Sequence, residues 1–179
     1  MPVSDHTSPS QDLAAWQASR AESGILTADL VALIQGGVAV SLGVRSTDGR
    51  PLVGSGVAAR IERSGTVRAL ISETRNRALL DALAAGSPIA ATFSRARDHR
   101  SIQVKAPRAQ IAALRPGDLC EVARQCAVLA DELVELGYTR PQAEAYHAHD
   151  PDDLVSVEFL PERVFTQTPG PGAGTEMSR

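Results

Sequence analysis

Aromatic side chains and net charge are both scarce in this sequence of 179 residues. Phe, Trp and Tyr together make up 3% of it, and 18 basic against 21 acidic side chains leave a formal charge of −3. Proteins that read nucleic acids combine a basic surface with stacking aromatic residues. The composition therefore argues against nucleic acid as a partner.

Long hydrophobic runs are missing as well. No stretch approaches the roughly 18 consecutive apolar residues of a membrane helix, and the beginning, MPVSDHTSPSQ, lacks the basic and apolar regions of a signal peptide. We expect a cytoplasmic protein without a membrane partner. Cysteine is limited to Cys120 and Cys126, which leave different faces of a predicted helix, so neither a disulfide nor a zinc knuckle is expected.

The motifs of several large enzyme classes are absent. The sequence contains no GxGxxG, no Walker loop, no GxSxG, no HExxH and no CxxC. The common dinucleotide folds, serine hydrolases, zinc proteases and thiol redox proteins are therefore unsupported.

The chain is 43% hydrophobic, which suffices for one core of ordinary size. One folded domain is expected from residue 10 to 167. Residues 1–9 are polar with two prolines, and residues 168–179 read TPGPGAGTEMSR. Segments with so little to bury are flexible or lie along the surface.

Short runs of β-branched and alternating residues dominate the middle of the chain. Separated by turn signals such as TDGRP and RSG, they predict five strands between residues 38 and 111 and a sixth at 154–160. The short connections make the early strands antiparallel. The pattern predicts a mainly β fold with peripheral helices (α+β), a small barrel whose edges are closed by pairing.

Periodic apolar residues with capping signals predict helices at 12–21, 28–35, 75–85 and 116–137, with Thr27 and Thr74 as two of the N-caps. Spacings of three and four give the last of these one apolar stripe, made of Leu119, Val122, Cys126, Leu129, Leu133 and Leu136. A shorter helix follows, in which Thr139 and Gln142 have the spacing of a capping box. Residues from about 116 to 150 thus form a helical insert.

The strongest sign of a binding site is the segment Ser72-Glu73-Thr74-Arg75-Asn76-Arg77. It puts Arg75 and Arg77 in the first turn of a predicted helix, where free amides and the helix dipole disfavour cations. A bound anion such as a phosphate would reverse that penalty. The alternative is that both arginines point into water, at a cost of roughly a few tenths of a kcal/mol each.

Two other groups of polar residues have simpler interpretations. Gln103 and Lys105 share one face of the fifth predicted strand, a pattern that usually indicates solvent exposure. His147 and His149 lie close together, but no third ligand has the spacing of a metal site. Surface histidines are the better interpretation, and no metal is expected.

Together these features resemble the FMN-binding split barrel of the pyridoxamine 5'-phosphate oxidase-like family. The likeness rests on the antiparallel strands, a helix beginning Thr-Arg-Asn-Arg after the third strand, and Arg-Ser-Ile-Gln-Val-Lys on the fifth. It spans residues 28–115 and the final strand, and the GPGAG tail is similar to that of one bacterial branch. The resemblance implies a six-stranded antiparallel split barrel and a homodimer that holds FMN, a small-molecule ligand, in a groove between subunits.

The site residues implied by the resemblance fall into two sets. Candidates for binding the FMN phosphate are Arg60, Thr74, Arg75 and Asn76. Candidates for lying near the isoalloxazine ring are Ser55, Gly56, Gln103 and Lys105.

The sequence also departs from the true oxidase. Its substrate signature rich in Arg and Trp is missing, since the only tryptophan is Trp16, and the second strand offers Val57-Ala-Ala-Arg60 in place of a basic run. Pyridoxamine phosphate is therefore not the expected substrate. The open functions are an FMN-dependent oxidoreductase of unknown substrate, a non-catalytic flavin- or haem-binding protein with His147 or His149 as the haem candidate, and a dimer with an empty groove.

Overall fold

The computed structural model describes residues 8–18 and 25–177. Residues 1–7 of the expected flexible N-terminus and residues 178–179 of the tail lie outside this part. The strands are β1 (Ala39–Arg45), β2 (Pro51–Ile61), β3 (Val67–Ser72), β4 (Ile89–Ser94), β5 (Ser101–Ala106), β6 (Gln110–Ala112), β7 (Leu154–Phe159) and β8 (Arg163–Thr166). The helices are α1 (Pro9–Ala18), α2 (Ala28–Ile34), α3 (Arg77–Ala84), α4 (Asp118–Glu135) and α5 (Arg140–Tyr146), with a 3-10 turn at Pro151–Asp153.

All eight strands form one sheet in the order β6-β7-β3-β2-β1-β4-β5-β8. Every neighbouring pair is antiparallel, as the short turns predict. The expected count of six strands is wrong, and so is the closure of the barrel, because β6 and β8 stand at the two ends of the strand order and do not pair with each other.

Both additional strands have a local explanation. The predicted fifth strand is two strands, since Pro107 has no amide hydrogen to continue the ladder and β6 pairs instead with β7. β8 covers only four residues after Pro161, too few for an alternation to be recognised in the sequence.

One face of the sheet packs on the core, and the alternation of burial along β1 and β4 follows the strand period of two. Helices α2 and α3 cover this face through buried leucines such as Leu30, Leu33, Leu80 and Leu83. Helix α2 begins as predicted, with the Thr27 hydroxyl accepting a hydrogen bond from the Leu30 amide at 3.3 Å.

The start of α3 differs from the prediction. The helix begins at Arg77, and residues 73–76 form a turn between β3 and the helix. Thr74 is therefore not the N-cap, and Arg75 lies before the helix rather than in its first turn. The reason is a competing tertiary contact of Thr74 that the sequence does not reveal.

The tail packs against the outermost strand in its described part. Glu176 bridges to Phe165 on β8, and its carboxylate accepts two hydrogen bonds from Arg163 at 2.6 and 2.9 Å. Met177 is buried in the core cluster. Residues 174–177 thus shield part of the β8 edge.

Helix α4 packs on the sheet with a face rotated from the predicted stripe. Val122 and Leu129 are buried as expected, but Leu119 and Leu136 at the two ends of the stripe are exposed. Gln125 replaces them in the interface, where its amide accepts from the Ala59 amide at 3.1 Å and donates to the Ala59 carbonyl at 2.7 Å. Pairing between β1 and β2 ends at Gly56 while β2 continues to Ile61, and the Gln125 side chain satisfies backbone groups beyond that point.

The first residue of α4 is held by a buried ion-pair cluster. Arg68 of β3 is 1% exposed and Asp118 is fully buried, and the two form a bidentate pair with both N···O distances 2.8 Å. Asp118 also accepts from Arg60 at 2.7 Å and from the Arg115 amide at 2.7 Å. Burial works to raise the pKa of Asp118, but these hydrogen bonds outweigh it and hold the pKa below its ordinary value.

Replacing Asp118 with alanine should destabilise the protein strongly, because the Arg68 charge would stay buried without its bidentate partner. Losing one member of a buried pair costs about 3–5 kcal/mol. Asp131 lies exposed on the same helix and pairs with Arg140 at the surface, so Asp131→Ala should change stability by less than about 0.5 kcal/mol. Urea unfolding of both variants measures the difference, and equal effects would show that the buried cluster does not anchor α4.

Candidate functional site

A cavity of about 310 Å³ opens where β2, the turn after β3 and the end of α5 meet. Three sequence-distant segments therefore build it. Its lining residues are Val53, Gly54, Ser55, Gly56 and Val57 from β2, Ser72, Arg75 and Asn76 from the turn, and Tyr146, His147, Ala148 and His149 from the insert. Four of the predicted site residues are among them: Ser55, Gly56, Arg75 and Asn76.

Asn76 fixes the turn against β2. Its side-chain amide donates to the Ser72 carbonyl at 2.8 Å and to the Ser55 carbonyl at 3.4 Å, and the residue is buried. Gly54 permits this approach, because a Cβ there would lie 2.2 Å from the Asn76 Oδ1. Asn76 thus positions the wall of the cavity.

The hydroxyl groups of the turn are engaged by an internal carboxylate. Asp153 accepts hydrogen bonds from the Ser72 hydroxyl, from the Thr74 hydroxyl at 2.7 Å and from the Thr74 amide at 3.0 Å. The Ser72 hydroxyl, followed by that of Thr74, lowers the pKa of Asp153. The hydroxyl and the amide of Thr74 are therefore both hydrogen-bonded to Asp153, and Thr74 does not line the cavity.

Arg75 supplies a positive charge to the cavity. Its Nη1 donates to the Ala148 carbonyl at 2.8 Å, which leaves the other guanidinium N–H groups available, since arginine carries five. The neighbouring Arg77 instead pairs with Glu73 at 2.9 Å on the surface. Of the two arginines singled out by the sequence, Arg75 is therefore the one that can meet an anion here.

The insert contributes two imidazoles and a phenol ring. Tyr146 is 63% exposed and stands edge-on to His147, which is 9% exposed. Burial, with a smaller contribution from His149, lowers the pKa of His147, although a backbone hydrogen bond at Cys126 opposes the shift. The sequence pattern suggested surface histidines, and the burial of His147 is visible only once α5 is packed against α4.

Ser55, Gln103 and Lys105 lie on one continuous surface of the sheet. Antiparallel partners share a face, and the registers join Ser55 to Ser41, Thr92 and Gln103, and join Val53 to Gly43, Ala90 and Lys105. We call these eight residues the outer face. At about 4.8 Å per strand, about 14 Å separates Ser55 from Gln103, and only small side chains lie between them.

Two of the ring candidates already have partners on the outer face. The Gln103 amide donates to the Thr92 hydroxyl at 3.0 Å, and the Lys105 ammonium lies 4.2 Å from the centre of the Phe165 ring. Neither residue lines the cavity.

Arg60 is separate from this site. Its guanidinium donates to the buried Asp118, and the residue does not line the cavity. The geometry therefore joins Arg75 and Asn76, but not Arg60, of the expected phosphate set.

Comparison with solved structures identifies the architecture. A protein from Lactobacillus delbrueckii, described as a candidate pyridoxamine 5'-phosphate oxidase, superposes with a TM-score of 0.50 at 18% identity, over 80% of this chain and 96% of that chain. The chain has the pyridoxamine 5'-phosphate oxidase-like fold. HupZ of Group A Streptococcus matches with the same TM-score of 0.50 at 14% identity, over 84% of this chain and 100% of that chain. No protein-family model matches the sequence, and no curated protein does.

The oxidase-like fold confirms the resemblance drawn from the short motifs. In the part of the chain that the structure describes, no helix has the length and apolar character needed to cross a membrane. Within residues 8–18 and 25–177, no three His, Cys, Asp or Glu side chains are grouped to hold a metal ion.

Gly54→Ala should loosen the cavity wall, because the added methyl group would collide with Asn76 and with Leu79. Overpacking of this kind costs about 1–3 kcal/mol. Gly43→Ala is the matched control, since a Cβ there meets only the Ala90 carbonyl oxygen, at an ordinary 3.7 Å. Thermal and urea unfolding should separate the two variants. If they are equally stable, Asn76 does not clamp the turn as tightly as the distances indicate.

Proposed function

We propose that the protein binds FMN and is a flavin-dependent oxidoreductase with an unidentified substrate. The observation that carries the proposal is the cavity beside Arg75, at the place where the sequence resemblance put a phosphate. A guanidinium with free donors, next to the Ser55 hydroxyl and a half-open cavity, suits a phosphate monoester.

The residues present fit FMN in part of the expected way. The cavity volume of about 310 Å³ is at the lower limit of small-molecule sites, so we assign it to the phosphate-bearing end of the ligand. Arg75 and Ser55 would bind this end. Asp153 stays ionised next to this end, since hydrogen bonds from Ser72 and Thr74 lower its pKa, and its charge interacts with that of Arg75, so a bound phosphate would share the guanidinium's field with this carboxylate.

We assign the isoalloxazine ring to the neighbouring outer face. Its small side chains leave room for a flat ring, and Gln103 and Lys105 offer donors at its far side. FMN, when bound, supplies electron and hydride transfer, so the protein's residues need only bind, orient and shield it. No side chain is assigned a catalytic role.

A non-catalytic flavin- or haem-binding protein on the same fold is the second candidate. It is favoured by the two imidazoles beside the cavity and by the lack of an acid–base pair in the described part of it. The absorption spectrum of the purified protein discriminates, because flavin and haem have different visible bands. Reduction of bound flavin by a nicotinamide cofactor would then favour the oxidoreductase.

Arg75→Ala should weaken FMN binding about ten- to a hundredfold, the usual value of one charge-assisted hydrogen bond. Riboflavin, which lacks the phosphate, should bind the variant and the wild type equally. Quenching of flavin fluorescence measures both affinities.

Arg60→Ala serves as the matched control for this titration. Because Arg60 pairs with Asp118 away from the cavity, its loss should leave the affinity for FMN unchanged. If Arg60→Ala loses affinity for FMN and Arg75→Ala does not, the phosphate binds at the buried cluster instead. If the wild type binds no FMN, the proposal is refuted.

We further propose that the protein is a homodimer and that the second copy covers the outer face. Val53, an apolar residue of this face, is 78% exposed. A second copy packed on this face would cover it. A twofold arrangement would bring the partner's outer face near the cavity.

Val53→Arg should therefore convert the dimer to a monomer in sedimentation velocity at micromolar concentration, because it would place a charge inside the interface. Leu160→Arg is the control, since Leu160 is also exposed but lies after β7, outside the outer face. A wild type that sediments as a monomer would contradict the proposed assembly.

A further inference from the structure

The imidazole of His147 has an unused hydrogen-bonding atom at the cavity. His147 is buried and lines the cavity, yet its Nε2 has no hydrogen-bond partner within the described part of the chain. Buried polar atoms are nearly always paired, and an exception calls for a partner that is absent from the protein itself. A bound ligand is such a partner.

The other ring nitrogen determines what Nε2 can do. Burial lowers the pKa of His147 and so favours the neutral imidazole. A neutral imidazole carries one hydrogen, and we assign it to Nδ1, because Nε2 meets no hydrogen-bond acceptor in the described part of the chain. In a neutral imidazole the second nitrogen is then an acceptor.

We propose that His147 Nε2 accepts a hydrogen bond from a hydroxyl group of the ligand, and that this bond recognises the polyol chain of the flavin. The inference rests on the proposed FMN function and adds a contact that the short sequence motifs do not include. The guanidinium of Arg75 lies against the carbonyl of the next residue, Ala148. A phosphate held by Arg75 would therefore place the adjoining hydroxylated carbons beside His147.

Nε2 is closed to solvent in the free protein, so the proposed contact requires a local movement of the cavity wall. Tyr146 packs edge-on to His147 with ring centres 5.4 Å apart, and as an exposed side chain it is the group that we expect to rotate. His149 is tied differently, because its Nδ1 lies 2.7 Å from the His147 carbonyl oxygen. In this proposal Arg75 holds the phosphate through its charge, and the neutral His147 distinguishes ligands through a hydrogen bond.

Three flavins test the contact: FMN, riboflavin, and lumiflavin, which keeps the ring but lacks the polyol chain. His147→Phe should weaken riboflavin and FMN about three- to tenfold, the usual value of one neutral hydrogen bond, and leave lumiflavin unchanged. His147→Gln should restore most of the loss, because its amide oxygen accepts. Tyr138→Phe is the control, since Tyr138 is exposed and does not line the cavity, and it should bind all three as the wild type does. Thermal unfolding of each variant checks that the fold persists.

The outcomes separate this inference from the proposed function. If wild-type protein binds FMN but His147→Phe binds riboflavin equally well, or loses lumiflavin to the same extent, the contact with the polyol is refuted while FMN binding stands. If the wild type binds no flavin, both fail. Nitrogen-15 NMR of the histidine rings provides an independent readout, since hydrogen on Nε2 rather than on Nδ1 in the free protein would overturn the assignment.

Discussion

The ion pair between Asp118 and Arg68 is the interaction on which the rest of the site depends. Arg68 is the largest fully buried side chain of the protein's described part, and Asp118 joins it to the start of α4. A charge is retained in such a place only when its partners are fixed. Because α4 leads directly into α5, this pair also sets where Tyr146, His147 and Ala148 meet β2. The cavity is thus positioned by a cluster that does not line it.

Sequence signals that span a few residues correctly predicted the features that depend on contacts between neighbouring residues. Thr27 caps α2 and the Thr139–Gln142 capping box begins α5, because both depend on residues three positions apart. The antiparallel sheet and its core face also follow from strand period and turn chemistry. The oxidase-like fold could therefore be recognised from motifs as short as Thr-Arg-Asn-Arg and Ser-Ile-Gln-Val-Lys.

Long-range contacts explain what the sequence could not show. Thr74 is a residue type that commonly caps helices. Its hydroxyl and amide instead donate hydrogen bonds to Asp153, which is remote in sequence, and α3 begins at Arg77. Arg60 is a plausible phosphate ligand by position, but its guanidinium forms an ion pair with Asp118. His147 resembled a surface histidine because its burial depends on the packing of α5 against α4. In each case the competing partner comes from the 116–150 insert or the turn that follows it.

The same insert explains how one fold could serve a different ligand or substrate here than in the true oxidase. The sheet and its connections supply β2, the turn after β3 and the outer face with its small side chains. The insert adds a wall of aromatic and imidazole groups on the side that the sequence resemblance does not cover. Since a binding site selects among ligands through contacts that only some of them can satisfy, selectivity is expected to reside in this wall. The two central strands of the outer face, whose side chains there are Ser41, Gly43, Ala90 and Thr92, provide space for a ligand and do not select among ligands.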